Sequence, residues 1–159
     1  DWLLVAFRQN GNEQLWTFQM TTDPGVYWRR KPMHVEGTAI VVPGHYPGLW
    51  EIGEHQGRYQ ALVQAGPIKV YRDNNRDDIL DYNPDTQDSG YFGINLHRTS
   101  RKHDPERPVG RWSAGCQVLA SSDDFDLVMA LADRAAAVWG NRFSFTLLTE
   151  IQMAGGKRQ

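Results

Sequence analysis

The chain has 159 residues, a formal net charge of −2, 40% hydrophobic residues and 11% aromatics, including six Trp. That is enough to bury one core, so a single domain is expected over 1–153, with 154–159 as a flexible tail. The near-neutral charge excludes a long-range pull toward nucleic acid, no apolar run is long enough to span a bilayer, and one cysteine excludes an intrachain disulfide framework or a Cys-rich zinc site.

The N-terminal two thirds read as β. Residues 3–7 (LLVAF) and 15–20 (LWTFQM) are strand-like runs, and Asn10-Gly11 between them is a hairpin signal. A third strand is expected at 37–42, ended by Pro43-Gly44. Residues 59–64 and 68–72 flank Ala65-Gly66-Pro67 and read as a second hairpin. The run 44–59 (GHYPGLWEIGEHQGRY) reads as a turn-rich loop with packed aromatics, carrying His45, Tyr46, Trp50 and His55. The basic run 27–31 (YWRRK) reads as a solvated edge. Residues 91–97 (YFGINLH) form another strand that delivers His97 at its end.

One amphipathic helix is expected after residue 120. Ser121 or Ser122 caps it, Asp123, Asp124 and Asp126 suit its positive end, and Phe125, Val128, Leu131, Ala132, Ala135 and Trp139 recur at helical spacing. Gly140 ends it, and 142–148 alternates as a last strand. The fold class is therefore mainly β with one amphipathic helix. Two stretches, 73–90 and 98–112, are expected as long loops, the second placing His103 in solvent.

Cys116, the only cysteine, lies in RWSAGCQVL (111–119), just before the helix. A thiol becomes a nucleophile when a base, a cation or a helix N-terminus favours thiolate. Gly115 allows a tight backbone, small Ala114 leaves room for a substrate, and Arg111 lies just upstream. His97 ends a strand whose following loop returns to Cys116, an order that suits a Cys-His enzyme.

The stretch GYFGINLHR, a loop, then VGRWSAGCQVL resembles the signature of the L,D-transpeptidase (YkuD-like) catalytic domain, through Ile94, His97, Gly110, Ser113, Gly115 and Cys116. The resemblance implies a β-sandwich fold and an acyl transfer on bacterial peptidoglycan stem peptides without a cofactor. Cys116 would form a thioester and His97 would serve as base and then acid. Ser113 and the N–H groups around Gly115 and Cys116 would orient His97 or hold the oxyanion. Arg98, Gln117, Arg111, Trp112 and Tyr46 would face substrate. The chain departs from the family with Arg98 after the histidine, Ala114 between Ser and Gly, and Val118 two places after the cysteine. These departures remove substrate-side groups and keep nucleophile and base, which favours hydrolysis slightly over cross-linking. Such a substrate implies action outside the cytoplasm, after export or delivery by a phage or secretion particle. A noncatalytic wall-binding or structural module of the same fold is the alternative.

Residues 72–81 (RDNNRDDILD) place Asp73, Asn75, Asp77 and Asp81 at alternating positions, as in the first half of a calcium loop. Asp78 stands where such a loop needs glycine and Pro84 where it needs its closing Glu. An acidic hydrogen-bonded turn, with Arg72 and Arg76 pairing internally, is the expectation.

Overall fold

The computed structural model describes residues 1–100 and 111–155. Strands β1 (Trp2–Gln9) and β2 (Asn12–Thr21) form the first hairpin. Its turn residues Asn10 and Gly11 both have positive φ, 51° and 81°, the twist that matches the flanking strands. A short helix α1 (Val26–Arg30) follows, then β3 (Thr38–Val41), β4 (Gly44–His55), β5 (Tyr59–Gln64) and β6 (Ile68–Asp73). A 3-10 turn at Pro84–Thr86 leads into β7 (Gln87–Gly90), and β8 (Leu96–Arg98) and β9 (Gln117–Leu119) are short. Helix α2 (Ser122–Trp139), β10 (Phe143–Leu147) and helix α3 (Glu150–Met153) complete the chain.

The strands form two sheets. One has seven strands in the order β1-β2-β9-β8-β5-β4-β10, and the other has three in the order β3-β6-β7. The architecture is β-rich with one long helix, as the composition and periodicity indicate. Ser121 caps α2 by accepting from the Asp123 and Asp124 N–H groups, and Gly140 ends it at φ 90°. A cap of this type contributes about 1 kcal/mol. Phe125, Val128, Met129, Leu131 and Ala132 of α2 join a core shared with Leu49, Trp50, Leu62, Leu96 and Leu119.

The structure corrects several expectations, among them the long loop at 73–90, whose second half holds the Pro84–Thr86 turn and strand β7. The stretch expected as a turn-rich loop contains β4, twelve residues long, which pairs β5 on one side and β10 on the other. Gly48, at φ +57°, and Pro47 interrupt its pattern without ending the strand. The expected hairpin of 59–64 with 68–72 does not form. The Ala65 and Gly66 N–H groups both donate to the Leu49 carbonyl, at 2.7 and 3.0 Å, so the chain leaves one sheet there. Strand β6 then pairs β3 and β7 in the other sheet. Most of 91–97 is not strand: only 96–98 is, and the Gln64 side chain accepts the Phe92 and Ile94 N–H groups where a ladder would have been. Residues 27–30 of the basic run lie in α1. His103 and Gly110 lie outside the described residues, as does most of the expected tail.

Candidate functional site

The pairing of β8 with β9 brings the histidine and cysteine segments together. The two strands are parallel, with Leu96 opposite Gln117, His97 opposite Val118 and Arg98 opposite Leu119. The Gln117 N–H donates to the Asn95 carbonyl at 2.8 Å and carries the ladder back to Cys116. Side chains alternate across a strand, so Asn95, His97, Cys116 and Val118 share one face while Leu96, Gln117 and Leu119 share the other.

His97 is 4% exposed. Its Nδ1 lies 2.9 Å from the Arg98 carbonyl, which can only accept, so the proton sits on Nδ1 and Nε2 is left as an acceptor. Burial pushes its pKa down to about 4; the Arg98 carbonyl pulls the other way, while the nearby His55 and Arg98 charges add to the lowering. The ring stacks on His55, with centroids 4.3 Å apart and planes 21° apart. Cys116 is half-buried, and its Sγ donates to the Gly93 carbonyl at 3.3 Å. Burial raises the thiol pKa, and the Asn95 N–H opposes this. The resting pair is a neutral thiol and a neutral imidazole. Burial outweighs the Asn95 N–H, so the surroundings of Cys116 disfavour a standing thiolate.

Ser113 is fully buried and shapes the cysteine turn. Its Oγ donates to the Cys116 carbonyl at 2.7 Å and accepts the Gly115 N–H at 3.1 Å. It therefore does not orient His97, and the Gly115 N–H is committed to Ser113 instead of facing an oxyanion. Gly115 itself has φ +124°, and a Cβ there would lie 2.6 Å from the Ala39 carbonyl oxygen. Only glycine suits that conformation and that space.

Of the expected substrate contacts, Trp112 and Arg111 are exposed beside the cysteine turn. Arg111 lies 4.0 Å over the Tyr27 ring, and its carbonyl accepts from Trp28 Nε1 at 2.8 Å, tying this segment to α1. Arg98 stacks on Tyr59 at 4.3 Å. Two of the expected contacts are not at the site. Gln117 is fully buried on the opposite face, where its Nε2 lies 3.4 Å from the Thr22 and Gly115 carbonyls. Tyr46 is a core residue that stacks on Phe145 and donates its hydroxyl to the Val42 carbonyl. His45 is also elsewhere, 2.8 Å from Thr146 on the β10 side of the sheet.

Sequence reasoning missed His55, Tyr59 and Asn95. The signal was present: His55 ends an alternating run and precedes Gln56-Gly57, whose positive φ values of 53° and 63° make a tight turn. Tyr59 pairs with His55 across that turn.

The acidic loop has a different character. Asn75 Nδ2 lies 3.0 Å from Asp77 and 2.6 Å from Asp81, the Asp77 N–H donates to Asn75, and Asp78 pairs with Arg30. Arg72 pairs with Asp88. Asp73 is buried, and neither carboxylate oxygen has a hydrogen-bonding partner among the described residues. No three His, Cys, Asp or Glu side chains among the described residues converge as a metal cage. The calcium-like spacing of Asp73, Asn75 and Asp77 is thus built as a hydrogen-bonded acidic turn.

Comparison of the chain with protein-family models, with curated proteins and with solved structures finds no match. No described helix is long and apolar enough to cross a membrane.

Proposed function

We propose that this domain is a cysteine acyl-transfer enzyme of the L,D-transpeptidase type, acting on peptidoglycan stem peptides. The observation that carries this reading is the parallel β8–β9 register, which sets Cys116 and His97 on one face, with no hydrogen bond to the acceptor nitrogen of His97 among the described residues. In the reaction His97 Nε2 takes the thiol proton as Sγ attacks a peptide carbonyl. The Cys116 N–H is the backbone donor adjacent to the developing oxyanion, since that of Gly115 is engaged. Collapse breaks the C–N bond, the leaving amine takes the proton from His97, and a thioester remains on Cys116. Water then gives a carboxylate; an amine gives a new cross-link.

Hydrolysis is the favoured outcome. Val118 and Gln117 are both fully buried, so the two residues after the cysteine offer no polar group to an acceptor. Arg98, Arg111 and Trp112 remain as the polar and aromatic contacts around the thiol. The substrate lies outside the cytoplasmic membrane, so the domain acts there, exported or delivered by a larger particle. The low-lying imidazole and raised thiol give some support to a second reading, a noncatalytic wall-binding module.

The test is mass spectrometry of muropeptides bearing tetra- and pentapeptide stems after incubation with the protein and with Cys116→Ala. Shortened stems or severed cross-links that vanish in the variant support the hydrolase, and new dimers or exchanged terminal residues support the transpeptidase. No change with either protein would overturn the peptidoglycan reading in favour of the binding module.

A further inference from the structure

His55 is 7% exposed, ends β4, and faces three groups: His97 of β8, Tyr59 of β5 and the Asn95 side chain just ahead of β8. Hydrogen bonding fixes which nitrogens of the stacked rings carry protons. The Gln64 N–H, a donor, points to Asn95 Oδ1 at 2.8 Å, so the Asn95 amide nitrogen must be the atom 3.1 Å from His55 Nδ1. An amide nitrogen only donates. His55 Nδ1 is therefore an acceptor, and its proton is on Nε2. On the other ring the proton is on Nδ1, facing the Arg98 carbonyl. The two imidazoles are opposite tautomers, and His97 Nε2 is the nitrogen of the stack left with an unused lone pair among the described residues.

Asn95 links this arrangement to the nucleophile. Its carbonyl accepts from the Gln117 N–H, its own N–H leans toward the thiol, and its side chain holds His55. The charged and titratable neighbours of the stack are Arg58 beside His55, Arg98 beside His97 and Tyr59, and the Cys116 thiol near Tyr59. Both guanidiniums discourage a second positive charge there, and burial drives both imidazoles toward the neutral form.

We propose that His55, held by Asn95, is a positioning residue for the His97 base: it fixes the imidazole plane by stacking and stays neutral, so that His97 Nε2 alone takes up the thiol proton. This rests on the acyl-transfer reading. Replacing the amide donor by a carboxylate in Asn95→Asp keeps the acceptor for the Gln64 N–H and turns the group facing His55 Nδ1 into an acceptor. That draws a second proton onto His55. An imidazolium stacked on His97 opposes the charge that His97 gains in the reaction.

The experiment is long-range 1H–15N correlation of the histidine rings in the wild type, Asn95→Asp and His55→Phe, together with Cys116-dependent muropeptide turnover against pH. The wild type should show His97 protonated on Nδ1 and His55 on Nε2 at pH 7. Asn95→Asp should show a doubly protonated His55 and turnover lowered roughly tenfold at pH 7, recovering as pH rises and His55 loses its proton. His55→Phe keeps an uncharged stacked ring and should leave His97 on its Nδ1–H tautomer at pH 7. A wild-type His97 protonated on Nε2, or a doubly protonated His55 with an unchanged rate profile, would overturn the proposal. The tautomers are read without substrate and judge the stack by themselves, whereas turnover absent from every form counts against the acyl-transfer reading.

Discussion

The β8–β9 ladder and the 73–81 loop both gather polar side chains in the interior or at its margin, and the fold treats them in opposite ways. At the ladder most polar groups are answered: the Arg98 carbonyl takes His97 Nδ1–H, Asn95 holds His55, and Ser113 Oγ serves both the Cys116 carbonyl and the Gly115 N–H, while Gln117 Oε1 is buried without a partner among the described residues. In the loop, Asn75 satisfies Asp77 and Asp81 locally, while neither oxygen of buried Asp73 makes a well-formed hydrogen bond among the described residues and only the Asp81 N–H leans toward it. A satisfied polar network specifies one arrangement; an unanswered carboxylate costs stability at that point. The ladder is assembled by long-range register, the loop by neighbours a few residues apart.

The sharpest way to break the ladder is at its tightest backbone. Gly115→Ala forces a side chain into φ +124° and against the Ala39 carbonyl. A loss of about 3 kcal/mol or more is expected, seen as a fall in Tm of roughly 10 °C by calorimetry. An unchanged Tm would mean that the cysteine turn is not held as described.

Acid should separate the two regions by sign. His97 has its folded pKa lowered to about 4 from an ordinary 6.5, so the unfolded chain binds its proton first as pH falls. Stability is therefore present in full above pH 6.5 and falls as pH drops toward 4, by roughly 3 kcal/mol for this group. His55 shifts in the same direction. Asp73 shifts the other way: burial, then the charges of Asp81 and Asp77, raise its pKa, so its penalty is present at neutral pH and is relieved as pH falls through the folded value. Urea unfolding at pH 7 and pH 4.5 should show the net loss, and His97→Gln should remove most of it.

Ser113→Ala removes the hydroxyl that closes the cysteine turn and leaves the buried Gly115 N–H without its acceptor. A loss of about 2 kcal/mol is expected in urea unfolding. The smallest effect is of opposite sign. Asp73→Asn removes an unanswered buried charge and should stabilise the fold by about 1 kcal/mol at pH 7, with the gain shrinking toward pH 4. Destabilisation by this change would show that the carboxylate has a partner that matters.

The contrast also explains what the sequence made legible. Local signals were reliable where the energetics are local. The Asn10-Gly11 turn, the Ser121 cap and the Gly140 stop sit where turn and cap chemistry put them. Cys116 and His97 were visible as candidates because their segments carry a recognisable order of residue types. Their placement on one face depends on a parallel register between strands separated by a long connection, which periodicity does not encode. The same limit hid β4, whose Gly and Pro residues imitate a loop, and hid His55, whose partners come from β5 and β8. It also misplaced Gln117 and Tyr46, since nothing local says which face of a short strand is buried. The acidic loop misled in the reverse sense: its spacing imitates a cation loop, while Asn75, Asp77 and Asp81 are used up on each other and Asp78 on Arg30.

The acyl-transfer proposal is tested most directly by intact-protein mass spectrometry of the protein quenched in acid during incubation with a tetrapeptide-stem muropeptide, followed by peptide mapping. The account predicts an acyl adduct on Cys116 whose mass equals the substrate less its leaving amine, absent in Cys116→Ala and strongly reduced in His97→Gln. Muropeptide turnover that proceeds equally in Cys116→Ala, or an adduct that maps to another residue, would contradict it.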